Sequence, residues 1–340
     1  MLYWDKFTHH EPNILGKKKK YDGTIYSFDI ETTSYYVLYG RQYKAIDYLK
    51  LSEKEKHDSI PMAHMYIWMF GINDTVYYGR TWDELKLFWT KLNEIVPEKK
   101  YVFVHNLAFE FQFLKSVFDF EDVMARKSHK VMTAFMPEYN MLFKCSYMMS
   151  NCALKYLPKL FNLPVKKLVG DLDYSLDRTS ITPLSETELG YCENDCLVVY
   201  HYILNELKTY EDVKHIPTTS TGKVRRELQD LVRTNFKYRR IVYRAINTDP
   251  HVYNMLQDAF MGGYTHANWI YTDEIIKNVD SFDETSAYPY VLVTCKFPSS
   301  EFRKCKITKR SEMSNRLCYL LRVKFTNIKC NYFNNFISGS

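Results

Sequence analysis

The run from Thr24 to Ser34, TIYSFDIETTS, constrains the fold more than any other. Its aromatic and β-branched start reads as a buried strand over 25–30. Successive side chains on a strand alternate faces, so Asp29 and Glu31 point to one side and Ile30 to the other. Two like charges held that close are unfavourable unless something positive sits between them. Whatever fold buries this strand must answer that repulsion.

The neighbouring patterns set the fold class. Strands are expected at 65–72, 75–78 and 101–104 as well. The stretch WDELKLFWTKLNEIV places Leu85, Phe88, Trp89, Leu92 and Val96 at helical spacing. A helix is expected over 107–117, a hairpin from 130–135 and 141–146 around PEYN, and another helix over 151–161. Ser185 and Glu188 form a capping-box pattern, after which Leu189, Cys192, Cys196, Val199 and Ile203 keep the helical period. Strands alternating with helices argue for an α/β domain with a mixed sheet.

A chain of 340 residues suits two domains, or one domain plus part of another, and 46% hydrophobic residues suffice for a substantial core. A boundary near 207 fits the change to a polar segment over 208–250. Within it, 223–244 is basic, with Lys223, Arg225, Arg226, Arg233, Lys237, Arg239, Arg240 and Arg244 interleaved with Phe236, Tyr238 and Tyr243. That mixture suits phosphate contacts and base stacking, and equally a solvated helix face. The net charge of +6 permits a polyanionic partner without requiring one. Lys17 to Lys20 read as a solvated basic loop. No apolar run fits a signal peptide or a membrane span. Eight cysteines without an export signal are read as reduced thiols in a cytosol. Cys192 and Cys196, four residues apart, are read as core packing in preference to a zinc half-site.

About one Asp-x-Glu tripeptide is expected by chance in a chain of this length, so later partners carry the weight. His105 and Asn106 end an apolar run, and Phe109 and Glu110 follow in the first turn of a helix. Asn106 there also suits an N-cap, and Glu110 the helix dipole. Tyr191 and Asp195 share one face of the capped helix. That face is apolar, so Asp195 needs either a bound cation or a buried Lys or Arg. Should Asp29, Glu31, Glu110 and Asp195 converge, their oxygen ligands suit Mg²⁺ or Mn²⁺ in place of zinc. Two such ions about 4 Å apart would cancel the repulsion and hydrolyse phosphodiesters, with Tyr191 orienting the attacking water.

The segments FDIETT, HNLAFEFQFL and YCENDC resemble the three motifs of the DEDD 3′–5′ exonucleases, Tyr-bearing subclass, in the order found in family B DNA polymerases. AFMGGYTHAN (259–268) is similar to the Gly-Gly segment joining exonuclease and palm in the protein-primed bacteriophage polymerases. FDETSAYPYVL (282–292) resembles polymerase motif A, and VGDLDYSLDR (169–178) a further segment of that branch. The resemblance covers about 24 to 300. It implies a ribonuclease H-like exonuclease domain over 24–207, after an N-terminal extension at 1–23. A first α+β palm segment would follow over 208–300, and then the start of a priming-protein-binding insertion, or a truncated end, over 301–340. It implies metal binding by Asp29, Glu31, Glu110 and Asp195, with Tyr191 as water-orienting residue. His105, Asn106 and Phe109 would hold the 3′ end of a strand. Gly262 and Gly263 would let backbone approach the template. Asp283 would bind the polymerase metals, within a motif that includes Ser286, and Tyr288 would pack against the incoming sugar.

Some positions depart from the family pattern. Glu110 stands where Asp is usual, Val169 where Lys is usual, Phe260 replaces a Tyr and Ala287 a Leu. A fingers helix and a second palm Asp motif are not found before Ser340. The chain alone is therefore expected not to polymerise, and to do so only with a second polypeptide supplying the rest. Expected partners are single-stranded and primer-template DNA and a terminal priming protein, in the cytoplasm of a host cell. Two other readings stand beside this one: a free-standing 3′–5′ exonuclease, and an inactive remnant that binds DNA or a priming protein.

Overall fold

The computed structural model describes residues 1–327 except 18–19, 129, 167–175, 241–248, 261–268, 272, 299 and 325. The chain divides into two units, Met1–Arg226 and Glu227–Ser340. The strands are β1 (Leu2–Tyr3), β2 (Ile14–Leu15), β3 (Tyr21–Asp22), β4 (Tyr26–Leu38), β5 (Arg41–Lys44), β6 (Ile60–Ile72), β7 (Thr75–Gly79), β8 (Lys100–Val104), β9 (Glu121–Ala125), β10 (Val131–Met136) and β11 (Met141–Cys145). The helices begin with α1 (Ala45–Tyr48), α2 (Glu53–Asp58), α3 (Trp82–Ile95) and α4 (Leu107–Leu114). They continue with α5 (Ser146–Ser150), α6 (Leu157–Leu160), α7 (Glu186–Glu206) and α8 (Ser220–Thr234).

One large sheet organises the first unit, in the order β1-β7-β6-β4-β8-β11-β10-β9, with β5 paired to the far half of β4. Strands β7, β6 and β4 are antiparallel, whereas β4, β8 and β11 are parallel. This is the mixed sheet of an α/β domain expected from the sequence. The two faces follow from strand alternation. Phe28, Ile30, Trp68 and Phe70 face one core with Leu85, Phe88, Trp89 and Leu92 of α3 and Leu107 and Leu114 of α4. Ile67 and Met69 face the other way, where α7 covers them with Tyr191, Cys192 and Cys196. Full burial of side chains this large stabilises by about 1.5–3 kcal/mol each.

The helices start where their caps stand. Thr81 with Glu84 caps α3, and Ser185 with Glu188 caps α7, each with both hydrogen bonds of a capping box. Gly79 is required beside β6, because a Cβ there would lie 2.4 Å from the Trp68 ring. That ring is fixed by its Nε1 donating to the Thr81 carbonyl at 2.9 Å. The PEYN hairpin forms as expected, pairing Met136 with Met141.

Two local expectations change. The strand expected over 25–30 continues to Leu38, because β5 and the first half of β6 supply partners for residues that lack an apolar run. The helix expected over 151–161 is broken into a 3₁₀ turn, Leu154–Tyr156, and the short α6. Asn151 there adopts a left-handed φ of 52° as the C-cap of α5, and Pro158 admits a helix only in its first turn. Residues 1–23 pack into the first unit: Leu2 and Tyr3 pair with Tyr77 and Tyr78, and Phe7 is buried.

In the second unit the described elements are short. Asp249 caps a helix at Pro250–Ala259, accepting from the His251 amide at 2.7 Å. A helix at Ala287–Thr294 follows the Asp283 segment. Neither helix contains a buried residue. Among the described residues, no helix is long and apolar enough to cross a membrane.

Candidate active site

The ladder of β4 fixes the first two acids. Asp29 stands opposite Met69 and Glu31 opposite Ile67, so both carboxylates point to the face that α7 covers. Immediately beyond, the register breaks: Thr32 pairs with Met65, and Tyr66 is the extra residue of a β-bulge. Tyr66 and Ile67, adjacent in sequence, therefore both enter the cluster beneath α7. On α7, Tyr191 and Asp195 stand one turn apart and are both buried. One carboxylate oxygen from each of Asp29, Glu31 and Asp195 lies within 4.8 Å of the others. Three of the four expected acids are thus brought together from two distant stretches.

The fourth, Glu110, arrives from the neighbouring strand. Phe28 and Val104 are paired at the point where parallel β4 and β8 run side by side. The residues that follow them, Asp29 within β4 and His105 just past β8, stand at one level, at the carboxyl end of β8, where α/β sheets bind ligands. Leu107, Glu110 and Leu114 form the buried stripe of α4. Glu110 is 3% exposed, and burial together with the Asp29 charge pushes its carboxyl well above the usual range. Its Oε2 is buried without a hydrogen-bond partner among the described residues. Glu110 adjoins Asp29 but lies outside the set of three that closes within 4.8 Å.

His105, Asn106 and Phe109 line the outer side. The His105 Nδ1 is 3.0 Å from the Ser146 hydroxyl, and its ring meets Tyr147 edge-on at 5.7 Å. Asn106 occupies the N-cap position of α4 with φ 66°, in the left-handed region, and its side chain makes no capping bond. The ordinary N-cap role weighed for Asn106 therefore does not apply; the exposed amide is left for another use. Phe109 is 42% exposed beside Phe113. Ser146 and Tyr66 of this neighbourhood carried no sequence signal, since each is brought in by a long-range contact and not by a period; Arg178 ends the VGDLDYSLDR segment, but its role there is not assigned by the sequence.

The donor set fits a hard divalent cation. Three carboxylates with converging oxygens beside a buried, orphaned carboxyl oxygen offer only oxygen ligands. The neighbouring thiols do not enlarge it. Cys192 and Cys196 are fully inside the core, and burial with the charge of Asp29 pushes the Cys196 thiol well up, away from the thiolate that zinc requires.

The polymerase-like positions are less enclosed. Gly262, Gly263 and the start of VGDLDYSLDR, 169–175, lie outside the described residues. Asp283 is exposed, Ser286 adopts a left-handed φ of 56°, and Tyr288 is 70% exposed. Of the basic stretch, Lys223 is engaged with Glu206 at 2.6 Å and Arg226 with the His215 carbonyl at 2.6 Å. Arg233, Lys237 and Arg240 are exposed, as are Phe236 and Tyr238, while Tyr243 and Arg244 lie outside the described residues.

Residues 170–337 match the family described as DNA polymerase type B, organellar and viral. Over those residues the chain is similar to the type B DNA polymerases. In fold it is similar to Phi29 DNA polymerase. Against that polymerase in complex with single-stranded DNA the TM-score is 0.52 at 16% identity, covering 74% of this chain and 42% of that one. Against the ternary complex with primer-template DNA and incoming nucleotide the TM-score is 0.51 at 16% identity, covering 74% and 41%. The chain thus spans about two fifths of the length of the polymerases it matches. No curated protein sequence matches it significantly.

Proposed function

We propose that the first unit is a metal-dependent 3′–5′ exonuclease that serves DNA replication by a viral type B polymerase. The observation that carries this reading is the convergence of Asp29, Glu31 and Asp195, from β4 and α7, within 4.8 Å. Asp29, Glu31 and Asp195 would hold Mg²⁺ or Mn²⁺, with Glu110 beside Asp29. When bound, such ions supply a water of lowered pKa and positive charge for the leaving oxygen. The Tyr191 hydroxyl, one turn before Asp195, orients that water by hydrogen bonding and, being a weak acid, does not take its proton at neutral pH. Phe109 offers an exposed ring to the terminal base. His105, its ring oriented through Ser146, and the outward amide of Asn106 hold the backbone of the strand.

On the same reading Asp283 is a metal-binding acid of the polymerase motif, with Ser286 beside it and Tyr288 as its sugar-gating aromatic. The match of residues 170–337 to type B polymerases supports that assignment. The DNA partners are a single strand and a primer-template, and a terminal priming protein is the third partner of the protein-primed branch.

Digestion of a 5′-labelled single strand with Mg²⁺ or Mn²⁺ tests the nuclease. A 3′-to-5′ ladder is expected, slowed on the order of 10²–10³-fold or more in the Asp29→Ala, Glu31→Ala double variant. Equal digestion by parent and variant would remove the assignment.

A further inference from the structure

The segment leading into α7 is tied to the acid-bearing strand by one buried arginine. The Arg178 amide donates to the Thr33 hydroxyl at 3.1 Å, and that hydroxyl donates back to the Arg178 carbonyl at 2.8 Å. His64 of β6 reaches the same carbonyl through Nε2 at 2.9 Å. Thr33 is two residues beyond Glu31 on β4, so the backbone of this segment is pinned beside the acids. The side chain turns to α7: its Nε and one terminal nitrogen donate to Glu188 Oε1 at 2.8 and 2.6 Å. Beneath it lies the ring of Tyr66, the bulge residue, at 5.9 Å.

Glu188 serves both sides of this bridge. Its Oε2 closes the capping box of α7, accepting from the Ser185 amide at 2.8 Å and the Ser185 hydroxyl at 2.9 Å. Along α7, Tyr191 is three residues further and Asp195 seven, on the same helical stripe. The chain of contacts thus runs from β4 through Arg178 and Glu188 to the helix that presents Asp195. A buried forked guanidinium holding a partly buried carboxylate through two hydrogen bonds resists sliding better than a single ammonium.

We propose that Arg178 is a positioning residue for the metal-binding acids: it sets how far α7 stands from β4, and hence the spacing of Asp195 from Asp29 and Glu31. This rests on the nuclease reading given above. Arg178 stands behind the three acids that converge within 4.8 Å. It acts as groups behind metal ligands do, whose loss typically weakens metal binding 10–100-fold.

The test compares the full chain with Arg178→Lys, Arg178→Met and Glu188→Gln. The last keeps one carbonyl acceptor for the capping box and turns an amide NH₂ toward Arg178, so it breaks the ion pair while guarding against a variant that fails to fold. The readouts are the Mn²⁺ concentration that half-saturates the gain in melting temperature without DNA, the Mn²⁺ concentration for half-maximal digestion of a single strand, and the KM for that strand. The Mn²⁺ requirement is expected to rise about 10–100-fold in Arg178→Met and Glu188→Gln, and by less in Arg178→Lys. KM stays near that of the parent, and excess Mn²⁺ restores most of kcat. Folded variants that keep the parent's Mn²⁺ requirement, whatever their thermal stability, overturn the positioning role alone. A parent chain with no Mn²⁺-dependent digestion overturns the nuclease reading and the positioning role together.

Discussion

Two Phe-Asp pairs in this chain have opposite surroundings. Phe28 is 1% exposed and Phe282 is 92% exposed. The first pair lies inside a strand with neighbours on both sides, so the ladder dictates where Asp29 points and what faces it. The second precedes a helix, Ala287–Thr294, with no buried residue. Tyr290, Leu292 and Val293 there are exposed although they are apolar. The lesson is that an acid's chemistry is set by what holds it. Asp29 is held by register, by α7 and by Glu110. Asp283 is read through its motif alone.

The largest expected effect tests whether that difference in enclosure is energetic. Trp89 is fully buried between Phe28, Phe70, Phe118 and Phe143. Trp89→Ala should cost about 3–5 kcal/mol in urea unfolding followed by circular dichroism. Tyr290→Ala, on the exposed helix of the second unit, should change the same transition by less than about 0.5 kcal/mol. Equal costs would mean that the second unit has a core the described residues do not show.

A smaller effect asks which acids bind a cation. Mn²⁺ at a hundredfold excess over its Kd should stabilise the parent by about 2.7 kcal/mol. Asp29→Ala should abolish that gain in a thermal melt, whereas Asp283→Ala should leave it intact. A melt in which Asp283→Ala loses the gain, and Asp29→Ala keeps it, would reverse the comparison.

What the sequence made legible follows the same division. Periodicity shows what a residue's own neighbours determine: the stripe of α3, the caps of α3 and α7, the PEYN hairpin, and the shared face of Asp29 and Glu31. It is silent on partners far along the chain. The bulge at Tyr66 exists only because β6 pairs with β4 out of step. The burial of Arg178 depends on Thr33, 145 residues away. The continuation of β4 to Leu38 depends on β5. The acids are legible because their motifs are short and local, whereas Thr33, Tyr66 and Ser146 join them only through long-range contacts. Asn106 shows the limit from the other side: its type suited a cap, and only the backbone angle reveals that the side chain is not used as one.

The smallest effect per residue separates the units by pH. Lys100 and Lys144 are buried in the first unit, and burial pushes each ammonium down to about 8. Lys100 Nζ donates to the Glu98 carbonyl at 3.1 Å, and Lys144 Nζ to the Ile216 carbonyl at 2.7 Å. In the unfolded chain a lysine releases its proton near 10.4. Between about pH 8 and 10 the unfolded state therefore holds protons that the folded state has released, and stability rises with pH through that window. The contribution is fully present above the unfolded value and is lost as pH falls through about 8. Above about pH 10 the trend reverses, because burial holds the Tyr26 and Tyr202 phenols well up and the folded chain then keeps protons the unfolded chain loses. Urea unfolding should thus show a gain on the order of 2 kcal/mol per lysine from pH 8 to 10. Lys144→Met should lower stability at pH 10, by stranding the Ile216 carbonyl, while flattening the slope by about half. A profile that is flat or falling over that window would mean that water reaches these ammonium groups and that the core of the first unit is less dry than its packing indicates.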